Sequence, residues 1–143
     1  MIIVDTNVVS ELMRPAPDAV VADWVRRHGG RQLWTTSITL AEIYYGIERL
    51  TDGRRKERIQ TTASQLFGSY PDRILAFDAA AARQYSLVVA DRDRVGLPID
   101  GFDAQIAAVC RVNDASLATR NTKDFQDTGI EVINPWLPTA EHP

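Results

Sequence analysis

Short apolar runs alternate along this chain with longer segments whose apolar residues recur at helical spacing, and few folds accommodate that alternation. The runs at residues 1–4, 32–37, 73–77, 116–119 and 131–133 read as strands, each bounded by polar or turn residues. Between them the spacing predicts helices. The first covers 6–14, stopped before Pro15. The second opens at Pro17-Asp18, carries Val20, Val21, Trp24 and Val25, and ends at Gly29-Gly30. A third spans 40–50, with Ser37 or Thr39 as cap and a stripe of Leu40, Ile43, Ile47 and Leu50. A fourth at 54–69 carries Ile59, Ala63, Leu66 and Phe67, and these two are expected to form a hairpin projecting from the sheet. Asp78 caps a fifth from 79 to about 95, and a sixth at 104–112 has Phe102, Ile106, Val109 and Cys110 on its apolar side. Strands alternating with helices imply an α/β fold. A central parallel sheet is covered on both faces, with right-handed crossovers, as three layers α/β/α. At 143 residues, one domain over 1–143 is expected.

Composition then removes whole classes of function. There is no apolar run long enough to span a membrane and no basic start leading into an apolar stretch and cleavage site, so a cytoplasmic protein is expected. The single cysteine, Cys110, lies in a helical pattern and reads as a small core residue rather than a nucleophile. The net charge of −3 is not that of a plain nucleic-acid binder. Charge is segregated, however. Arg54, Arg55, Lys56 and Arg58 form one basic group, and Arg26, Arg27 and Arg31 a second; either alone reads as a solvated helix face. His28 and His142 lie at a helix end and in the tail, so there is neither a zinc pattern nor a Ser-His-Asp arrangement, and no phosphate-cradling glycine loop.

The acids concentrate where a parallel sheet puts ligands, beyond the carboxyl ends of its strands. Asp5 ends the first strand in Ile2-Ile3-Val4-Asp5-Thr6-Asn7. Glu42 lies in the first turn of the helix after the second strand, roughly 200° round from Leu40 at ~100° per residue. Asp103 lies in the first turn of the last helix, and Asn121 and Asp124 follow the fourth strand. Each has a bland reading. Asp5 can cap its helix, and Glu42 can be a solvated acid at a positive helix end. Asp100 and Asp103 have capping-box spacing, while Asn121 and Asp124 can be a turn residue and a first-turn acid. Convergence is what argues for more. Carboxylates crowded at one edge repel, and keeping them ionised requires a cation. Oxygen-only ligands select hard ions such as Mg²⁺ or Mn²⁺, which suit phosphodiester hydrolysis.

These residues also carry a resemblance. Ile3-Val4-Asp5-Thr6-Asn7, the segment from Thr36 to Glu42 with Gly46, Phe102 through Ala108, and Ala118 through Phe125 resemble the motifs of PIN domains. With Asn134-Pro135-Trp136 the chain is similar to VapC-type toxins of bacterial toxin–antitoxin pairs, including the FitB-like branch. The resemblance runs from Met1 to about Trp136. It implies a Mg²⁺-dependent ribonuclease, with Mn²⁺ as a substitute, held inactive by a VapB-type antitoxin that itself contacts operator DNA. It further implies a homodimer, with the antitoxin docking near the helices of 40–69. Asp5, Glu42 and Asp103 match the family's acidic metal-binding set. Asp5 and Asp103 stand as direct ligands there, and Glu42 acts directly or through water. Thr6 and Asn7 are placed to orient Asp5, with Ser37 or Thr119 as further candidates. A fourth acid is often found where this chain has Asn121; Asp124, one turn on, is the candidate to compensate, and one or two metal ions remain open.

Three rivals share part of this pattern. A phospho-accepting receiver module needs adjacent acids early and a lysine after a late strand, whereas Lys123 sits beside Asp124. A haloacid-type phosphatase needs a second aspartate where Asn7 stands. A PIN scaffold acting mainly through partner binding differs in no residue of the acidic set.

Overall fold

The computed structural model describes residues 1–138, apart from the side chains at 30 and 31; His142 lies outside the described residues. Five strands form one sheet: β1 (Ile2–Val4), β2 (Leu33–Thr36), β3 (Ile74–Leu75), β4 (Ser116–Ala118) and β5 (Val132–Ile133). All pairings are parallel and the order is β3-β2-β1-β4-β5. The helices are α1 (Thr6–Leu12), α2 (Ala19–Gln32), α3 (Ser37–Glu48), α4 (Arg54–Ser69), α5 (Ala79–Arg94) and α6 (Gly101–Val112). Short 3₁₀ turns cover Pro71–Arg73 and Thr122–Phe125.

The strands are brief, and their pleat divides the core in two. Ile3, Trp34, Leu75, Leu117 and Val132 face α5 and α6, whereas Val4, Leu33, Ile74, Ala118 and Ile133 face the layer of α1 to α4. Both faces of the sheet thus meet helices, which is why these runs are mostly apolar rather than alternating. The chain steps outward from β1 to β2 to β3 through α1–α4 on one face. It returns to β4 through α5 and α6 on the other. Right-handed crossovers require that change of face when the direction of travel reverses. The reversal sits between β1 and β4, a topological switch point, and Asp5 and Thr119 stand at the ends of those two strands.

Local chemistry sets the helix starts. Asp18, Asp78 and Asp100 accept from Val20 and Val21, Ala81 and Phe102 backbone N–H groups respectively. Neither Ser37 nor Thr39 caps α3. Thr36 does, its hydroxyl accepting from the Thr39 amide at 3.1 Å, so the helix begins before Leu40. Gly29, at φ +58°, breaks the helical path of α2 as expected, and one more turn reaches Gln32. The hairpin of α3 and α4 projects only in its outer part. Residues 51–62 include no buried side chain, while Ile43, Ile47, Ala63 and Phe67 are core. Phe102 departs from the expected apolar side of α6: it is 49% exposed, whereas Ile106, Val109 and Cys110 are buried. Burial pushes the Cys110 thiol up to about 12, which keeps it protonated and inert. No helix among the described residues is long and apolar enough to cross a membrane.

Candidate active site

Asp5 is the fixed point of the site. It is 5% exposed, and its Oδ1 accepts from the Thr6 amide at 2.8 Å in the cap of α1. Its Oδ2 accepts from the Thr119 hydroxyl at 2.8 Å and, more weakly, from Asn7 Nδ2 at 3.4 Å. Asn7 also donates to Thr119 Oγ1 at 3.0 Å, and its Oδ1 accepts from the Arg120 amide at 3.1 Å. Asp5 is therefore a cap and a member of a network joining the ends of β1 and β4. Burial raises its pKa; the hydrogen bonds from Thr119 and Thr6 pull it back, and Asp124 adds repulsion.

Glu42 enters the same network from α3. Its Oε1 accepts from the Thr6 hydroxyl at 2.9 Å, and that hydroxyl lies 3.2 Å from Thr39 Oγ1. Thr6 therefore serves two acids, Asp5 through its amide and Glu42 through its side chain. Burial raises the Glu42 pKa against the Thr6 hydrogen bond, and Asp5 and Asp100 raise it further. Ser37, a candidate to orient Asp5, makes no hydrogen bond to it among the described residues; Thr119 does.

Asp103 is in a different condition. It is half-buried in the first turn of α6, and among the described residues its carboxyl has no hydrogen-bond or ion-pair partner. Burial, then repulsion from Asp5, Asp100, Asp124 and Glu42, pushes it up to about 7. Asn121 and Asp124 are exposed at the rim. Asn121 engages through its backbone, its N–H donating to Thr119 Oγ1 at 3.1 Å and its carbonyl accepting from the Asp124 amide at 3.1 Å. Asp124 reaches Asp5 and Asp103 by charge. No lysine or arginine among the described residues is ion-paired with any of these acids. Equally, no three of them stand close enough to enclose a metal ion as they are. Their chemistry nonetheless fits a hard divalent cation: all donors are carboxylate oxygens, repelling one another and lacking a countercharge.

A groove of about 680 Å³ opens beside the acids, lined by Thr6, Glu42 and Gly46 at one side and by Arg55 and Arg58 of α4. The basic group of α4 divides here. Lys56 is tied to Asp52 at 3.1 Å, while Arg55 and Arg58 face the groove. In the second basic group Arg26 and Arg27 are both bonded to Asp23, the latter at 3.0 Å, which is the solvated-face reading. An apolar cavity of about 260 Å³ behind β2, near Val9, Leu33 and Phe67, holds none of the acids. Thr6 and Thr119, both candidates from the sequence to orient Asp5, bond to it, whereas Thr39 joins the network with no sequence signal of its own.

Comparison with known proteins bears on the family and the fold. The family model for the PIN domain matches residues 2–131. The chain is 34% identical to the VapC ribonuclease Y4jK of Sinorhizobium fredii over 96% of this chain and 99% of the relative. It is likewise 34% identical to the toxin FitB of Neisseria gonorrhoeae, over 95% and 99%. A solved structure of FitAB bound to an IR36 DNA fragment superposes with a TM-score of 0.92 at 31% identity, covering 99% of this chain and all of that one. These matches set aside the receiver and phosphatase alternatives. With acids from three βα segments gathered at the switch point of a β3-β2-β1-β4-β5 parallel sheet, and a family model spanning nearly all of it, the chain belongs to the PIN-domain family.

Proposed function

We propose that this protein is a divalent-metal-dependent endoribonuclease, the toxin of a toxin–antitoxin pair, working in the cytoplasm. Asp5, Glu42 and Asp103 form its cation site, and Asp124 stands in at the rim where Asn121 supplies no charge. The observation that carries this reading is Asp103, a half-buried carboxyl with no partner among the described residues, surrounded by four acids. Such a group gains most from a bound Mg²⁺ or Mn²⁺. When bound, the ion supplies activation of water and neutralisation of the charge that develops on a phosphodiester.

The protein's own residues do the rest. Thr119 and the Thr6 amide orient Asp5 and favour its charged form against the effect of burial, and the Thr6 hydroxyl holds Glu42. Asp103 is free to turn toward Asp5 because no hydrogen bond among the described residues restrains it. Arg55 and Arg58 face the groove and bind RNA phosphates, the sequence-independent part of the affinity. An antitoxin chain neutralises the protein by occupying the groove beside α3 and α4. A solved FitAB assembly bound to DNA supports an antitoxin partner; in our reading that partner makes the operator contacts and this chain is a homodimer.

The test is cleavage of RNA by purified protein with Mg²⁺ or Mn²⁺, and its loss on chelation. Asp5→Asn or Asp103→Asn is expected to lower cleavage by about 10²-fold or more, with the far-ultraviolet circular dichroism spectrum retained. Wild-type turnover in either variant rules the assignment out.

A further inference from the structure

Arg92 reads in sequence as one of four alternating charges, Asp91-Arg92-Asp93-Arg94, at a helix end. Its neighbours are exposed, but Arg92 is 5% exposed. No carboxylate among the described residues pairs with it. Its guanidinium donates to three backbone carbonyls instead: Nε to Leu97 at 2.6 Å, and Nη1 to Asp124 at 2.9 Å and Gln126 at 2.8 Å. A guanidinium out of water is tolerated only when its donors are taken up, and its rigid fork suits acceptors on more than one segment. Here the acceptors belong to two. Leu97 lies in the link from α5 to Asp100, the cap of α6, whose first turn carries Asp103. Asp124 and Gln126 lie in and just after the 3₁₀ turn that follows β4.

We propose that Arg92 is a positioning residue whose guanidinium clamps the 95–100 link to the 122–126 turn, and so sets the spacing of Asp103 and Asp124 at the cation site. It touches neither carboxyl, so it orders the acids without neutralising them, and backbone acceptors keep the clamp closed across pH. The inference rests on the reading of these acids as cation ligands, and the two can fail separately.

Mn²⁺ binding, followed by loss of the free-ion electron paramagnetic resonance signal, is measured beside RNA turnover for wild type, Asp103→Asn, Arg92→Met and Arg92→Lys. In folded Arg92→Met the Mn²⁺ affinity is expected to fall about 10-fold or more, with kcat reduced more than KM is raised. Arg92→Lys, which keeps the charge but loses the fork, is expected to recover little of this. Weak binding in Asp103→Asn beside wild-type binding in folded Arg92→Met overturns the clamp alone. Wild-type binding in Asp103→Asn overturns the cation reading and the clamp with it. Hydrogen exchange on the wild-type chain decides the matter if neither Arg92 variant folds. The Leu97 and Ala104 amides are expected to open together with those of Asp124 and Gln126, and independent opening overturns the clamp.

Discussion

Asp103 shows how a fold can hold an acid against its own preference. Its carboxyl is raised from 3.8 to about 7, first by burial and then by Asp5, Asp100, Asp124 and Glu42. Between those two values the folded chain binds more protons at this position than the unfolded chain. The stabilisation is therefore complete below about 4 and is lost as pH rises through about 7. Urea unfolding in chelator is expected to show wild-type stability falling between about pH 4 and pH 7, and Asp103→Asn flattening that fall and gaining at the alkaline end. A variant less stable than wild type at both pH values argues that Asp103 is a structural cap instead. The sequence places Asp103 in a first helical turn. It does not show the crowding, because three of the four acids that act on it, Asp5, Glu42 and Asp124, come from other segments of the chain. Thr119 is comparable: its bond to Asp5 spans 114 positions, and the sequence offers it only as one of two candidates, beside Ser37, which does not bond to Asp5 among the described residues.

At the scale of elements, the helix ends were the legible part where a cap is local. Asp18, Asp78 and Asp100 each act on amides within three residues, so spacing alone locates them. Thr36 was missed because it ends a strand and caps a helix at once, and a strand pattern hides the second role. Gly46, inside α3, is an element-scale test. Open space surrounds the position of a Cβ there, so Gly46→Ala meets no clash. It is expected to stabilise the protein by roughly 0.5–1 kcal/mol, seen as a melting temperature a few degrees higher. Because Gly46 lines the groove beside Glu42, RNA cleavage is expected to fall in the same variant. A stabilised variant with undiminished turnover argues against RNA passing that wall.

For the molecule as a whole, the sheet belongs to two cores, and its inner strands carry both. Leu117 of β4 is fully buried toward α5 and α6. Leu117→Ala is expected to cost roughly 2–5 kcal/mol by chemical denaturation, through lost burial and a residual cavity. A loss below about 1 kcal/mol would mean that the helical layer collapses onto the sheet. The sequence by itself determined the order of strands and helices, the two-sided burial and the edge where Asp5, Glu42 and Asp103 lie. These follow from periodicity, from turn residues and from the handedness of crossovers, all of which act over short stretches of chain. Only the tertiary structure decided which side chains meet. It exposed Phe102, divided Lys56 from Arg55 and Arg58, buried Arg92 among carbonyls and left Asp103 without a partner among the described residues. The reason is physical: burial and charge depend on what distant segments bring to the same point, and a linear pattern carries no record of that distance.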